Sequence, residues 1–129
     1  MPTQRPSTVR YRTRLYHEVC ELVNAEYYED LQLDDIARRI ASSRRQLQRA
    51  FAEIGRTTFR DYLTQVRMSK AAEFLEQDRL TVREVARRVG YRQPAQFAKA
   101  FRRHHGSAPS EFRAELLSGG APRNLVAVA

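Results

Sequence analysis

Between Thr81 and Arg113, apolar side chains fall at helical spacing in two runs separated by a glycine. Val82, Val85, Ala86 and Val89 form the first stripe; Phe97, Ala100 and Phe101 form the second. Thr81 and Glu84 have the spacing of a capping box, which opens a helix. Gly90 suits the left-handed conformation that closes one, and Pro94 suits the first position of the next. The pattern predicts two helices joined by a tight turn.

The same pattern occurs earlier. Asp35-Ile36-Ala37-Arg38-Arg39-Ile40 parallels Glu84-Val85-Ala86-Arg87-Arg88-Val89 at an offset of 49, and Leu47 and Phe51 parallel Phe97 and Phe101 at an offset of 50. The second copy's turn is therefore one residue longer. Ser43 and Gln46 have capping-box spacing at the start of the first copy's second helix, while Gln32 is a poor cap and Ala41-Ser42 an unusual turn.

Around these copies the periodicity predicts a helix over 9–28 with Leu15, Val19, Leu22 and Val23 inward. A long helix is predicted over 58–77, opened by Thr58 and Asp61, and a short last helix over 109–117. Gly55 is expected to end the first copy's second helix. The expectation is an all-α fold of about seven helices, with two helix-turn-helix subdomains, homeodomain-like, joined by a long linker helix. Its parts would be a flexible arm (1–8), a first subdomain (9–56), the linker helix (57–78), a second subdomain (79–117) and a flexible tail (118–129). About twenty linker residues span about 30 Å at 1.5 Å each, close to the ~34 Å of one DNA turn.

Charge sharpens this picture. The chain of 129 residues carries a net charge of +8 with a pI near 10.4, which suits a polyanionic partner. Its distribution matters more than its total. The windows 36–52 and 85–110 hold eleven of the 23 basic side chains and none of the 15 acids, where a generic solvated face would mix the signs. With 42% apolar residues the chain can fill a small core but not also surround a large catalytic cleft. The single Cys20 forms no internal disulfide and reads as packing. Three histidines and one cysteine show no metal-ligand spacing, and there is no glycine-rich phosphate loop or nucleophile–base arrangement. No cofactor, metal or catalytic residue is expected, and no stretch is apolar enough to span a bilayer.

Several motifs together resemble a known family. D-I-A-x-x-I, S-x-x-x-L-x-x-x-F, G-x-T-F-x-x-Y-L-x-x-x-R-M, V-A-x-x-V-G-Y, F-x-x-x-F and the closing G-x-x-P-S-E-F-R are similar to the DNA-binding domain of AraC/XylS-type bacterial transcription regulators, over roughly residues 9–116. The resemblance implies a sequence-specific regulator of transcription in the bacterial cytoplasm, at the nucleoid. It would be an activator more often than a repressor, placing two recognition helices in successive major grooves of double-stranded DNA. The two copies differ in sequence, so the expected site is asymmetric and the binder a monomer. Larger relatives carry a sensing and dimerising domain for which this chain has no room, so a stand-alone regulator or an excised domain is expected.

Candidate readers follow from the faces. With Leu47 and Phe51 inward, Arg44, Arg45, Gln48 and Arg49 face out. Arginine pairs bidentately with guanine and glutamine with adenine. Arg45, Gln48 and Arg49 are the base-reading candidates and Arg44 serves base or phosphate. With Phe97 and Phe101 inward, Gln96 and Lys99 are the second set of base readers, and Arg92, Arg102 and Arg103 are phosphate clamps. Ala95 can meet a thymine methyl, and the second unit is expected to discriminate less. Arg67 and Arg113 are candidates for structural support or phosphate contact, and Arg5, Arg10, Arg12 and Arg14 for phosphate contact from the arm and the first helix. The competing readings are phosphate contact alone, or a helical interaction module that docks on RNA polymerase or another regulator.

Overall fold

The computed structural model describes residues 5–77 and 79–119; most of the expected arm, Asp78 of the second-unit turn and the tail from residue 120 lie outside them. Among the described residues there are seven α-helices, one π-helical turn and no strand. In chain order the helices are α1 (Pro6–Glu26), α2 (Leu33–Arg39), α3 (Arg44–Ala50), α4 (Phe59–Leu75), α5 (Val82–Arg88), α6 (Pro94–His105) and α7 (Pro109–Leu117), with the π turn Phe51–Gly55 continuing α3. The chain divides into two compact units, Met1–Leu63 and Thr64–Ala129, so that α4 contributes to both.

In the first unit, α1 starts at Pro6, earlier than the periodicity predicts, because proline at the first helical position gives up no needed hydrogen bond. Leu15, Val19 and Val23 pack inward; Leu22 is only half-buried. They meet Leu33, Ile36, Ala37, Leu47, Ala50 and Phe51 in one core. Each fully buried aliphatic or aromatic side chain contributes about 1.5–3 kcal/mol. Arg12 is buried as well, its guanidinium donating to the Glu53 carboxylate. It therefore belongs to the core margin and is unavailable to phosphate. Cys20 lies half-buried beside Tyr16 and Tyr62, and burial pushes its thiol up, so it stays protonated and inert at neutral pH.

Gly55 does not take the left-handed role that its position suggests. Arg56 does, at φ 52°, and Gly55 serves a different need: a Cβ there would run into the Tyr16 ring. That ring packs edge-on against Phe51, with centroids 5.1 Å apart. The repeat extends this far, since Gly106 (φ 86°) stands 50 residues after Arg56. His105 accordingly stands where the first unit has Gly55.

In the second unit Val66, Met68, Ala71, Leu75, Val85, Ala86, Val89, Phe97, Phe101 and Phe112 are buried. His105, 1% exposed, donates from Nε2 to the Met68 carbonyl at 3.0 Å. Its ring stacks at a tilt on Phe101, with centroids 4.4 Å apart. Arg113 closes α4: Nε donates to the Leu75 carbonyl (3.1 Å) and an Nη to that of Gln77 (3.2 Å), satisfying carbonyls that a helix end leaves unpaired. Arg67 lays its guanidinium over the Tyr91 ring at 5.6 Å. Both arginines support the second unit.

Acid sensitivity follows from His105. Its Nδ1 is buried with no partner, as is Nε2 of His104, and burial lowers both pKa values, with His105 adding to the effect on His104. The unfolded chain then binds more protons than the folded one below about pH 6.5. Stability is therefore full above that pH and is lost as pH falls from there through the lower folded values. Urea unfolding at pH 7.5 and pH 5.2 should give a lower midpoint at the acid pH, and a His104→Gln, His105→Gln variant should lose most of that difference.

Candidate nucleic-acid interface

Each helix-turn-helix is built on a turn with the same hydrogen bonds. In the first, Ser42 N–H donates to the Ala37 carbonyl (2.8 Å) and Ala41 N–H to that of Arg38 (3.3 Å). In the second, Tyr91 N–H donates to Ala86 (2.9 Å) and Gly90 N–H to Arg87 (3.0 Å). This is the Schellman closure, which requires a left-handed residue after the last helical one. Gly90 takes it at φ 95°; Ala41 takes it at φ 56°. A glycine fits without strain, whereas an alanine there costs about 1–2 kcal/mol. The unusual Ala41-Ser42 turn thus keeps the standard geometry and bears a local cost.

The second helices are then capped unequally. Ser43 Oγ accepts from Gln46 N–H at 3.2 Å, which orders the first turn of α3. Gln93, at the corresponding place before α6, makes no side-chain cap, and Pro94 sets that helix instead. At α5, Thr81 Oγ1 accepts from Glu84 N–H (3.0 Å) and donates to the Glu84 carboxylate (3.2 Å), so the carboxylate engages the hydroxyl.

With Leu47, Ala50 and Phe51 buried, Arg44, Arg45, Gln48 and Arg49 are all exposed on one unit. With Phe97, Phe101 and His105 buried, Arg92, Gln93, Ala95, Gln96, Lys99, Arg102 and Arg103 are exposed on the other. Their electrostatic settings differ in a way that the acid-free windows conceal. Glu26 from α1 receives both Nη groups of Arg39, at 2.8 and 2.7 Å, and these bonds hold its carboxyl below the usual range. Asp35 pairs with Arg38, and Asp34 accepts from Arg44 Nη1 at 3.2 Å. Three of the first window's five arginines are thus paired to acids outside it, leaving Arg45 and Arg49. In the second window Arg88 lies over the Phe74 ring at 5.6 Å. Among the described residues no carboxylate pairs with Arg87, Arg92, Lys99, Arg102 or Arg103.

The comparisons with known proteins agree with this architecture. A family model described as a helix-turn-helix domain matches residues 36–115. The Msm operon regulatory protein of Streptococcus mutans is 31% identical over 105 residues, covering 81% of this chain and 38% of that protein. The lactose operon transcription activator of Staphylococcus xylosus is 28% identical over 93 residues, covering 72% and 33%. The DNA-binding domain of AdpA, a global transcriptional factor whose structure was solved with a target DNA, superposes with a TM-score of 0.75 at 30% identity, covering 81% and 94%. The chain belongs to the AraC-type helix-turn-helix family. It spans little more than a third of the length of the first of these curated relatives, and a third of the second.

The turns supply a direct test of local strain. Ala41→Gly relieves the left-handed cost and adds back about 0.4–1 kcal/mol of unfolded-state entropy, for a net gain of up to about 1 kcal/mol. Gly90→Ala should destabilise by about 1–3 kcal/mol, because it keeps the unfavourable φ and sets a Cβ 2.9 Å from the Arg67 guanidinium. Thermal melts of the two variants should move in opposite directions.

Proposed function

We propose that this chain is the DNA-binding part of a bacterial transcription regulator. It reads an asymmetric duplex site as a monomer through the first turns of α3 and α6, in successive major grooves. The observation that carries this is the pair of exposed, acid-free faces on the second helices of two identically closed helix-turn-helix turns. The AdpA complex with DNA supports it, being a relative of the same fold. The lactose operon activator among the relatives supports activation as the output, with RNA polymerase as the protein partner. Such a regulator works in the cytoplasm, at the nucleoid.

Arg45, Gln48 and Arg49 read bases from α3, and Gln96 and Lys99 from α6, each reaching solvent and outside any ion pair among the described residues. Arg92, Arg102 and Arg103 anchor to phosphate. If about six to eight phosphates are neutralised, log K falls with log salt at a slope near −5 to −7. Gln48→Ala or Arg49→Ala should cost about 1–3 kcal/mol and relax preference at particular base pairs, whereas Arg102→Ala should weaken all sequences alike and flatten the slope by about one. In vitro selection beside binding titrations at several salt concentrations reads both. An unchanged motif in the Arg45, Gln48 and Arg49 variants would overturn the assignment of readers.

The α4 helix is the ruler in this reading. Its 17 residues extend about 25 Å, shorter than the twenty-residue expectation because Glu76 and Gln77 already turn out of the helix. Two alanines inserted between Leu63 and Thr64, where the two units meet in sequence, rotate the downstream chain by about 200° and advance it about 3 Å. Circular dichroism should remain helical while footprinting shows protection of at most one groove. Retained protection of two half-sites about 10 base pairs apart would mean that the units bind as loosely tethered modules.

A further inference from the structure

Arg44 is the first residue of α3 and, among the described residues, the one reading-face arginine that a carboxylate from another element holds. Asp34, in the first turn of α2, accepts from its Nη1 at 3.2 Å. The second copy has nothing equivalent: Arg83 stands where Asp34 does, and Pro94 stands where Arg44 does. Stability does not account for the pair. Both side chains are more than half exposed, 58% and 55%, and an exposed pair of this kind contributes about 0–1 kcal/mol. A cation in the first turn of a helix also opposes the helix dipole, and α3 has two there with no acid of its own.

A guanidinium has five donors in a fixed fork. Asp34 uses one of them, at Nη1, and leaves the other Nη and Nε, which share one edge of the fork, without a hydrogen-bond partner among the described residues. That pair of parallel donors matches the O6 and N7 acceptors of guanine. To reach a phosphate instead, the side chain must swing off Asp34 and exchange one oxyanion for another. Resting on the DNA-binding reading above, we propose that Asp34 is a positioning residue that assigns Arg44 to a base edge. In this role Asp34 acts through Arg44 and touches no DNA. The pair withholds one cation from non-specific phosphate contact and presets it for sequence readout.

The test uses the full chain with two probes: a duplex carrying the site selected in vitro, and an unrelated duplex of the same length. Wild type, Asp34→Asn, Asp34→Glu, Arg44→Gln and Asp34→Asn with Arg44→Gln are compared. Glu76→Gln serves as a control for the change in net charge, and circular dichroism checks folding. Asp34→Asn should tighten the unrelated duplex about two- to fivefold and steepen its salt slope by about 0.9, without tightening the selected site. Repeated selection should show relaxed preference at the same base pair that Arg44→Gln relaxes, and Asp34→Glu should restore it. In the Arg44→Gln background the Asn substitution should do no more than Glu76→Gln does. The proposal is overturned if Asp34→Asn tightens both duplexes equally, if its effect survives loss of Arg44, or if the base preference does not move. Failure of the wild-type protein to bind any duplex in a salt-dependent way would instead remove the DNA-binding reading itself, before any variant is made.

Discussion

Two pairs of inward side chains decide what this protein shows to its surroundings. Leu47 and Phe51 on one unit, and Phe97 and Phe101 on the other, are essentially fully buried. Spaced four apart, each pair fixes the rotation of its helix about the axis. Once that rotation is set, Arg45, Gln48 and Arg49 have no choice but to face out, and so do Gln96 and Lys99. The Schellman turns set the angle at which each helix leaves its predecessor, and the buried pairs set its roll. Specific chemistry on the outer face depends on non-specific burial on the inner one.

The two copies solve the same problem with different parts. One closes its turn with a strained alanine and the other with a glycine. One leaves position 55 bare so that a tyrosine ring can come close, while the other fills the corresponding place with a buried histidine bonded to a helix carbonyl. Their charge diverges most. Within the two acid-free windows, carboxylates from α1 and α2 answer three of the five arginines of the first, whereas none of the six cations of the second has an acid partner among the described residues. The first reading face is therefore partly neutralised from within the protein, and the second is not.

Much of this was legible in the sequence, since helical spacing, capping pairs and the repeat located every helix to within a few residues. Those signals are local, and local physics governs them. What the sequence hid was every relation across large separations. Window counting made the first copy look purely basic because Glu26 and Asp34 lie outside the window, 13 and 10 residues from their arginines. Arg12 read as a surface cation because nothing near it in sequence announces Glu53. Gly55 read as a helix stop because glycine usually serves that purpose, and only the ring of Tyr16, 39 positions away, shows its other use. Arg67 and Arg113 were readable as supports, although not which carbonyls or ring they support.

The passage of α4 through both units has a consequence for how the protein can be divided. Five of its residues, Phe59–Leu63, fall to the first unit and the other twelve to the second. Five residues are too few to hold a helix by themselves in water, since nucleation is costly and short helices fray. A fragment cut at the boundary would lose the helix in its first half and expose the Leu63 side chain. A protease that nicked α4 at that point would therefore cost the first unit its share of the helix.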